Sequence, residues 1–166
     1  MSPTSANTDL GDLARHLHQT FVANHWAHAE QLADGKYNTV YKPLSVARIE
    51  LLLQNGESCL TYQLSSGALR WVCFDVDIKR DVLERGNYKT IRPEAESEII
   101  KVSSLLCAYL DERKIPSLFE FSGNRGAHVW ILWKDFVDQS CGFALQQKIL
   151  DDCRPLLDCN YVDIDR

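Results

Sequence analysis

Apolar residues recur along the chain at two spacings, and the places where the spacing changes divide it into elements. Leu10, Leu13, Leu17 and Phe21 fall three or four residues apart behind a capping residue, Asp9. This predicts a helix from Asp9 that continues patchily through "NHWAHAEQLADG" to Gly35. Residues 1–8 read as a frayed end. "YNTVYKPL" reads as a short extended segment, and "SVARIELLLQNG" as a helix capped by Ser45 and ended by Gly56. "SCLTYQL" and "ALRWVCFDVD", separated by "SSG", predict a β-hairpin. The polar stretch "IKRDVLERGNYKTIRP" is expected to be a long mobile loop of the kind that serves a site. Pro93 then opens a helix, "EAESEIIKVSSLLCAYLDERK", with Ile99, Val102, Leu105, Leu106, Tyr109 and Leu110 on one side. "SLFEFS" and "AHVWILW" predict a second hairpin around "GNRG". A helix over residues 136–157 and a strand, "YVDIDR", complete the pattern.

From residue 57 the predicted order is β-β-α-β-β-α-β. Strands with helices on one face make a two-layer α+β domain, RRM-like or ferredoxin-related. Residues 1–36 form an N-terminal helical segment in this reading, and residues 37–166 the main domain. A chain that stops on a strand-like segment is expected of a boundary cut through something larger.

Composition narrows the class. The 166 residues carry a formal net charge of −5, which argues against a polyanion binder that works by bulk charge but leaves room for a local basic groove. No apolar run approaches the ~20 residues of a membrane span. The amino end lacks the basic-then-apolar order of a secretory signal, so an intracellular, cytoplasmic protein is the expectation. The six cysteines contain no C-x-x-C pair and read as free thiols of a reducing compartment. Cys141, Cys153 and Cys159 have spacings unlike those of structural zinc sites. His16, His18, His25 and His28 occupy different helical faces and read as surface or packing residues.

Two segments carry chemistry. Asp75 and Asp77 of "WVCFDVDIK" share one face of a strand, while Phe74 and Val76 take the other. Two such carboxylates, about 7 Å apart at Cβ, repel each other, and a divalent cation with its taste for hard oxygen ligands removes the repulsion. The plainer reading is a strand end that meets water. In "FEFSGNRGAHVWILW", Gly123 and Gly126 leave backbone N–H groups open to an anion, with Ser122, Arg125 and His128 as further donors. That set suits a phosphate tail; the plainer reading is a hairpin turn followed by a sheet histidine.

Taken together, "FDVDIK" and "SGNRGAHVW" resemble the first two motifs of the archaeo-eukaryotic primase superfamily. "VYKPL" and "FSGNRGAHVWI" look closest to the prokaryotic primase-polymerases of mobile-element and defence systems, including CRISPR-associated ones. The resemblance covers about residues 37–166, which would be the catalytic core, incomplete at its C-terminal side. It implies that Asp75, Asp77 and a third carboxylate hold two Mg²⁺ or Mn²⁺ ions, and that Ser122 and His128 contact a nucleotide triphosphate. The third carboxylate falls in "YVDIDR", as Asp163 or Asp165, with Asp165 preferred. Gly123, Arg125, Gly126 and Lys79 join the nucleotide-binding set. Lys42, Arg80, Arg85, Lys89 and Arg92 are candidate template contacts. The chain departs from the family in lacking the basic, histidine-containing segment after the third motif and the cysteine cluster between the first two.

The expected activity is that of a DNA-dependent nucleotidyltransferase, a primase-polymerase acting on nucleoside triphosphates and on single-stranded DNA or a primer-template. Fusion or association with other replication or defence proteins is part of that expectation. A metal-dependent nuclease or glycosyltransferase also uses paired aspartates, and Lys79 stands where a nuclease wants a lysine. Neither explains "SGNRGAH". A non-catalytic nucleotide- or nucleic-acid-binding module of the same fold is the third alternative.

Overall fold

Helix α1 (Leu10–Phe21) starts where the sequence places its cap, the Asp9 carboxylate accepting from the Gly11 N–H at 3.0 Å. The structure, a computed structural model, describes residues 9–123 and 125–165. The frayed end assigned to residues 1–8 lies outside the described residues, as do Asn124 of the glycine turn and the terminal Arg166. The chain divides into two compact units, with the division between Arg70 and Trp71.

In the first unit, α1 is followed by β1 (His28–Gln31), β2 (Tyr37–Val40), α2 (Val46–Asn55), β3 (Cys59–Thr61) and the short β4 (Leu64–Ser65). The helix expected to run on to Gly35 stops at Phe21 instead. The Asn24 side chain accepts from the N–H groups of Trp26 and Ala27, a local bond that competes with the helical ladder and turns the chain. The residues after it form β1, the middle strand of an antiparallel sheet ordered β2-β1-β3. Gly35, at φ +81°, makes the turn between β1 and β2. No boundary falls at residue 36, because β1 and β2 are two strands of one sheet.

Ala14, Val22, Leu44, Ile49 and Leu52 form the core of this unit. Helix α2 matches its sequence signals: the Ser45 hydroxyl accepts from Arg48 N–H, and Gly56 closes the helix at φ +65°. His28 is only 3% exposed. Its Nδ1 meets the Lys42 carbonyl at 2.9 Å and its Nε2 the Glu30 carboxylate at 3.1 Å, so it is a packing histidine. Arg48 grips Glu30 with two bonds of 2.7 Å, and these hold the Glu30 carboxyl down at about 2.

The hairpin expected between "SCLTYQL" and "ALRWVCFDVD" is shorter than its sequence suggests. Cys59–Thr61 pairs with β1, and only Leu64 and Ser65 pair with Leu69 and Ala68. The two turn residues, Ser66 and Gly67, both have positive φ, the geometry that suits a two-residue hairpin.

The second unit takes most of β5 (Ala68–Ile78), then α3 (Arg80–Leu83), α4 (Tyr88–Glu112), β6 (Ser117–Phe121), β7 (Gly126–Asp138), α5 (Gln139–Cys153), a single 3₁₀ turn (Arg154–Leu156) and β8 (Val162–Asp165). Its sheet runs β8-β5-β7-β6. Val72, Phe74, Val76 and Ile78 of β5 and Ala127, Val129 and Ile131 of β7 are buried. They form the face on which the helices lie: α4 packs on β7, β6 and β8, and α5 on β7. Ala95, Ile99, Val102, Leu106 and Leu110 of α4, with Ile149 and Leu150 of α5, complete this core. The whole is a mixed helix-and-sheet structure of the α+β class. No described helix is long and apolar enough to cross a membrane.

The expected long loop is not a loop. Residues 80–83 form α3, Val82 is fully buried, and α4 begins at Tyr88, five residues before Pro93. Pro93 lies inside the helix, where its ring gives up the bond to the Lys89 carbonyl and crowds that oxygen, yet the helix continues past it to Glu112. Apolar anchors, Val82 and Ile91, were hidden among charges that solvate the outer faces. The last helix also starts later than expected, because β7 extends to Asp138, whose side chain caps Ser140 N–H.

Candidate active site

The alternation of β5 puts Cys73, Asp75 and Asp77 on the face away from the helices, since their neighbours Phe74 and Val76 are fully buried beneath it. Strand β8 runs antiparallel beside β5 with Asp165 opposite Asp75 and Asp163 opposite Asp77. Directly opposed residues share a face with Cβ atoms about 4.5–5.5 Å apart. Four carboxylates therefore stand on one small area of sheet. β7 lies on the other side of β5 and brings His128, whose Nε2 is 3.6 Å from Asp75 Oδ1.

Two devices hold β8 in this register. Glu98 of α4, 9% exposed, accepts from the backbone N–H groups of Asn160 and Tyr161 at 2.6 Å each. The Lys79 ammonium donates to the Cys159 carbonyl at 2.9 Å, and the Lys79 N–H donates to the Tyr161 carbonyl at 2.8 Å.

Two of the four aspartates are countered by cations. Arg125 Nε lies 3.5 Å from Asp77 Oδ2, and Lys79 Nζ 4.0 Å from Asp163 Oδ1. Burial, then the Asp77 charge, pushes the Asp75 carboxyl above its ordinary value, and the nearby His128 pulls the other way. With side chains turned to these partners, no three His, Cys, Asp or Glu groups among the described residues close on one metal-sized point. The donor set nonetheless fits a hard divalent ion. It consists of carboxylate oxygens on two adjacent strands, the ligand type such an ion prefers.

The turn between β6 and β7 carries the second motif. The Ser122 hydroxyl donates to the Gly126 carbonyl at 2.8 Å and accepts from Gly126 N–H at 3.1 Å, so it braces the hairpin. Gly123 sits at φ +80°, where a side chain is strained. Gly126 is required for a different reason. A Cβ there would overlap the Asp77 carboxylate and lie 2.8 Å from the Val76 carbonyl oxygen. The glycine thus lets the Asp77 side chain lie across β7.

The structure brings together Asp75, Asp77, Asp163, Asp165, Lys79, Arg125, Gly126 and His128. The template candidates are dispersed. Arg80, Arg85 and Arg92 pair with Glu84, Asp81 and Glu96, each four residues away in the chain, and Lys89 is exposed on α4. Lys42 belongs to the first unit, where its carbonyl serves His28. Glu120 escaped the sequence reading. It stands opposite His128 across the β6–β7 hairpin, and its Oε2 accepts from Trp130 Nε1 at 2.9 Å and meets His128 Nδ1 at 3.0 Å. The signal was present: alternation from the "GNRG" turn places Glu120, His128 and Trp130 on one face.

No protein-family model matches the chain, and no curated protein matches it.

Proposed function

We propose that the second unit is the metal- and triphosphate-binding core of a primase-polymerase-type nucleotidyltransferase. One observation carries the reading: the DxD of β5, the DxD of β8 and the histidine of the glycine-turn hairpin lie on one face of three neighbouring strands. Supporting it is the strand order β8-β5-β7-β6 built from β-α-β-β-α-β, which fits an RRM-like or ferredoxin-related sheet.

Asp75, Asp77 and Asp165 would hold the ions, Mg²⁺ or Mn²⁺. Asp163 is the weaker third ligand because Lys79 already engages it. Two ions held there would activate an attacking hydroxyl and stabilise a pyrophosphate leaving group. The chain's own part is positioning and charge. Arg125, released from Asp77 as that carboxylate turns to a ligand, is free for a phosphate oxygen; His128 faces the same place from β7. Gly123, at φ +80°, supplies the turn geometry, while the Gly126 N–H is held by the Ser122 hydroxyl. Partners under this reading are nucleoside triphosphates and single-stranded DNA or a primer-template, in the cytoplasm.

The test is binding of a deoxynucleoside triphosphate in the presence of Mn²⁺, followed by primer extension. Asp75→Ala with Asp77→Ala should abolish both while leaving the fold intact. A wild type that binds metal but no triphosphate would favour the nuclease alternative. Triphosphate binding without incorporation would favour a non-catalytic module.

A further inference from the structure

We propose that the open edge of β6 pairs with β6 of a second copy of this chain, giving a symmetric dimer built on one continuous sheet. β6 ends the strand order β8-β5-β7-β6, and no other described strand pairs with its outer side. All five of its residues are exposed. Phe119 and Phe121, 47% and 48% exposed, line an apolar groove with Ile100, Ser104 and Cys107 of α4. Edge strands are usually guarded by charge, by proline within the strand or by a bulge. β8, at the opposite edge, carries two aspartates in four residues. β6 has one charge, Glu120, and its carboxylate is turned inward over the sheet to His128 and Trp130 of β7. An apolar edge left this open is a place for strand addition.

The open backbone groups select the strand that fits. The Ser122 N–H donates to the Gly126 carbonyl at 3.0 Å, and alternation along the β6–β7 ladder then turns the N–H and C=O groups of Leu118 and Glu120 toward β7. Those of Ser117, Phe119 and Phe121 are left facing the open edge. An antiparallel copy with its two-fold axis at Phe119 engages all three residues. Phe119 pairs with Phe119 of the second copy, and Ser117 with its Phe121. The two Phe119 rings then meet beside the groove as a cross-strand aromatic pair. Charge selects the same register. It sets each Glu120 opposite Leu118, whereas an axis at Glu120 would put two glutamates face to face. An axis at Leu118 would engage only Ser117 and Phe119 within the strand. The two-fold axis stands perpendicular to the sheet, so both acidic faces lie on the same side of it. The two β5 strands are then about 24 Å apart, five strand spacings of ~4.8 Å.

The experiment takes the full chain through a concentration series. Sedimentation equilibrium reads the mass, and backbone amide exchange at low and high concentration reads the strand. Wild type should pass from the mass of one chain to that of two. The Phe119 and Phe121 amides, open in the single chain, should exchange about tenfold more slowly at high concentration. Those of Leu118 and Glu120, already bonded within the sheet, should change less. Phe119→Lys puts two like charges at the axis and should leave the chain monomeric. Leu118→Lys sets a lysine opposite Glu120 of the other copy at two symmetric positions. It should tighten the dimer about two- to thirtyfold, and Leu118→Glu should loosen it by a similar factor. Melting temperature at low concentration controls for folding, and if Phe119→Lys unfolds the two Leu118 variants still decide. A chain monomeric at every concentration overturns the proposal and leaves the edge to a strand of another protein. A dimer that both Leu118 variants leave unchanged, or protection confined to other strands, overturns it by placing the interface elsewhere. Species heavier than two chains overturn symmetric pairing. None of these readouts involves the acidic face, so they stand apart from what that face binds.

Discussion

Asp75 of β5 and Asp165 of β8 are direct cross-strand partners, and two residues along the ladder Asp77 and Asp163 repeat the arrangement. Like charges placed opposite one another on a sheet destabilise it. The fold accepts this cost at the edge of its central strand, and positions β8 for it with a buried glutamate and a lysine. An arrangement that works against stability points to chemistry that needs it.

The first prediction concerns charge at this face. The Asp75 carboxyl is raised, so the folded state keeps its proton at pH values where the unfolded chain has lost it. Stability therefore falls as pH rises from the ordinary carboxylate range through the raised value. Asp75→Asn should raise the melting temperature at pH 7, with the gain vanishing below about pH 4. Mn²⁺ should stabilise wild type by about 2.7 kcal/mol at a hundred times its Kd, and leave Asp75→Asn with Asp77→Asn unmoved. Equal melting shifts in the two proteins would remove the metal site.

Gly126 supplies the second prediction. A methyl group there collides with the Asp77 carboxylate and with backbone, and backbone cannot move aside cheaply. Gly126→Ala should destabilise by about 1–3 kcal/mol, as overpacking does, and should abolish nucleotide incorporation by displacing Asp77. Gly123→Ala meets nothing within 4 Å and suffers only its positive φ, so it should cost about 1 kcal/mol. Denaturant midpoints and primer extension on both variants separate the effects. Full activity in Gly126→Ala would mean that the Asp77 position does not matter.

The shared face of Asp75 and Asp77 was legible in the sequence because strand alternation is a local rule: once Phe74 and Val76 are assigned to the core, their neighbours must face outward. The helix over "SVARIELLLQNG" was legible for the same reason, since Ser45 and Gly56 are local stop signals. What stayed hidden depended on distant partners. Residues 28–31 look helical alone and become a strand only because β2 and β3 flank them. Val82 gave no sign that it would bury itself among charges. Nor could the sequence show that Lys79 reaches the backbone at Cys159, eighty residues away.

Glu98 is the third test. It sits on the apolar stripe of α4, one residue before Ile99, and both its oxygens accept backbone N–H groups leading into β8. Hydrogen bonds to a charged group contribute about 1.5–3 kcal/mol each. Glu98→Ala should therefore destabilise by about 3 kcal/mol or more by that estimate, leaving two N–H groups without their acceptor. Hydrogen exchange should show β8 opening before the rest of the sheet. Glu98→Gln keeps one acceptor and turns an amide N–H toward the other donor, so it should recover less than half of the loss. Protection of β8 unchanged in Glu98→Ala would show that pairing with β5 alone holds the strand.

Lys79 separates two roles that one residue can play. Its ammonium donates to the Cys159 carbonyl at 2.9 Å and lies at the outer limit of an ion pair with Asp163. Its side chain is 26% exposed, so water replaces that bond poorly. Lys79→Met keeps the stem and removes the charge, and should cost about 1.5–3 kcal/mol of stability, the value of one bond to a charged group. A short bond to a carbonyl is little screened, so that loss should be the same at low and high salt. A lysine that instead draws in a triphosphate acts through a charge open to solvent, and salt screens it over about 10 Å at 0.1 M. The affinity lost in Lys79→Met would then be large at low salt and shrink as salt is added. Melting curves and triphosphate binding at two salt concentrations decide the matter. A salt-independent stability loss with unchanged affinity assigns Lys79 to the support of β8 and removes it from the nucleotide-binding set.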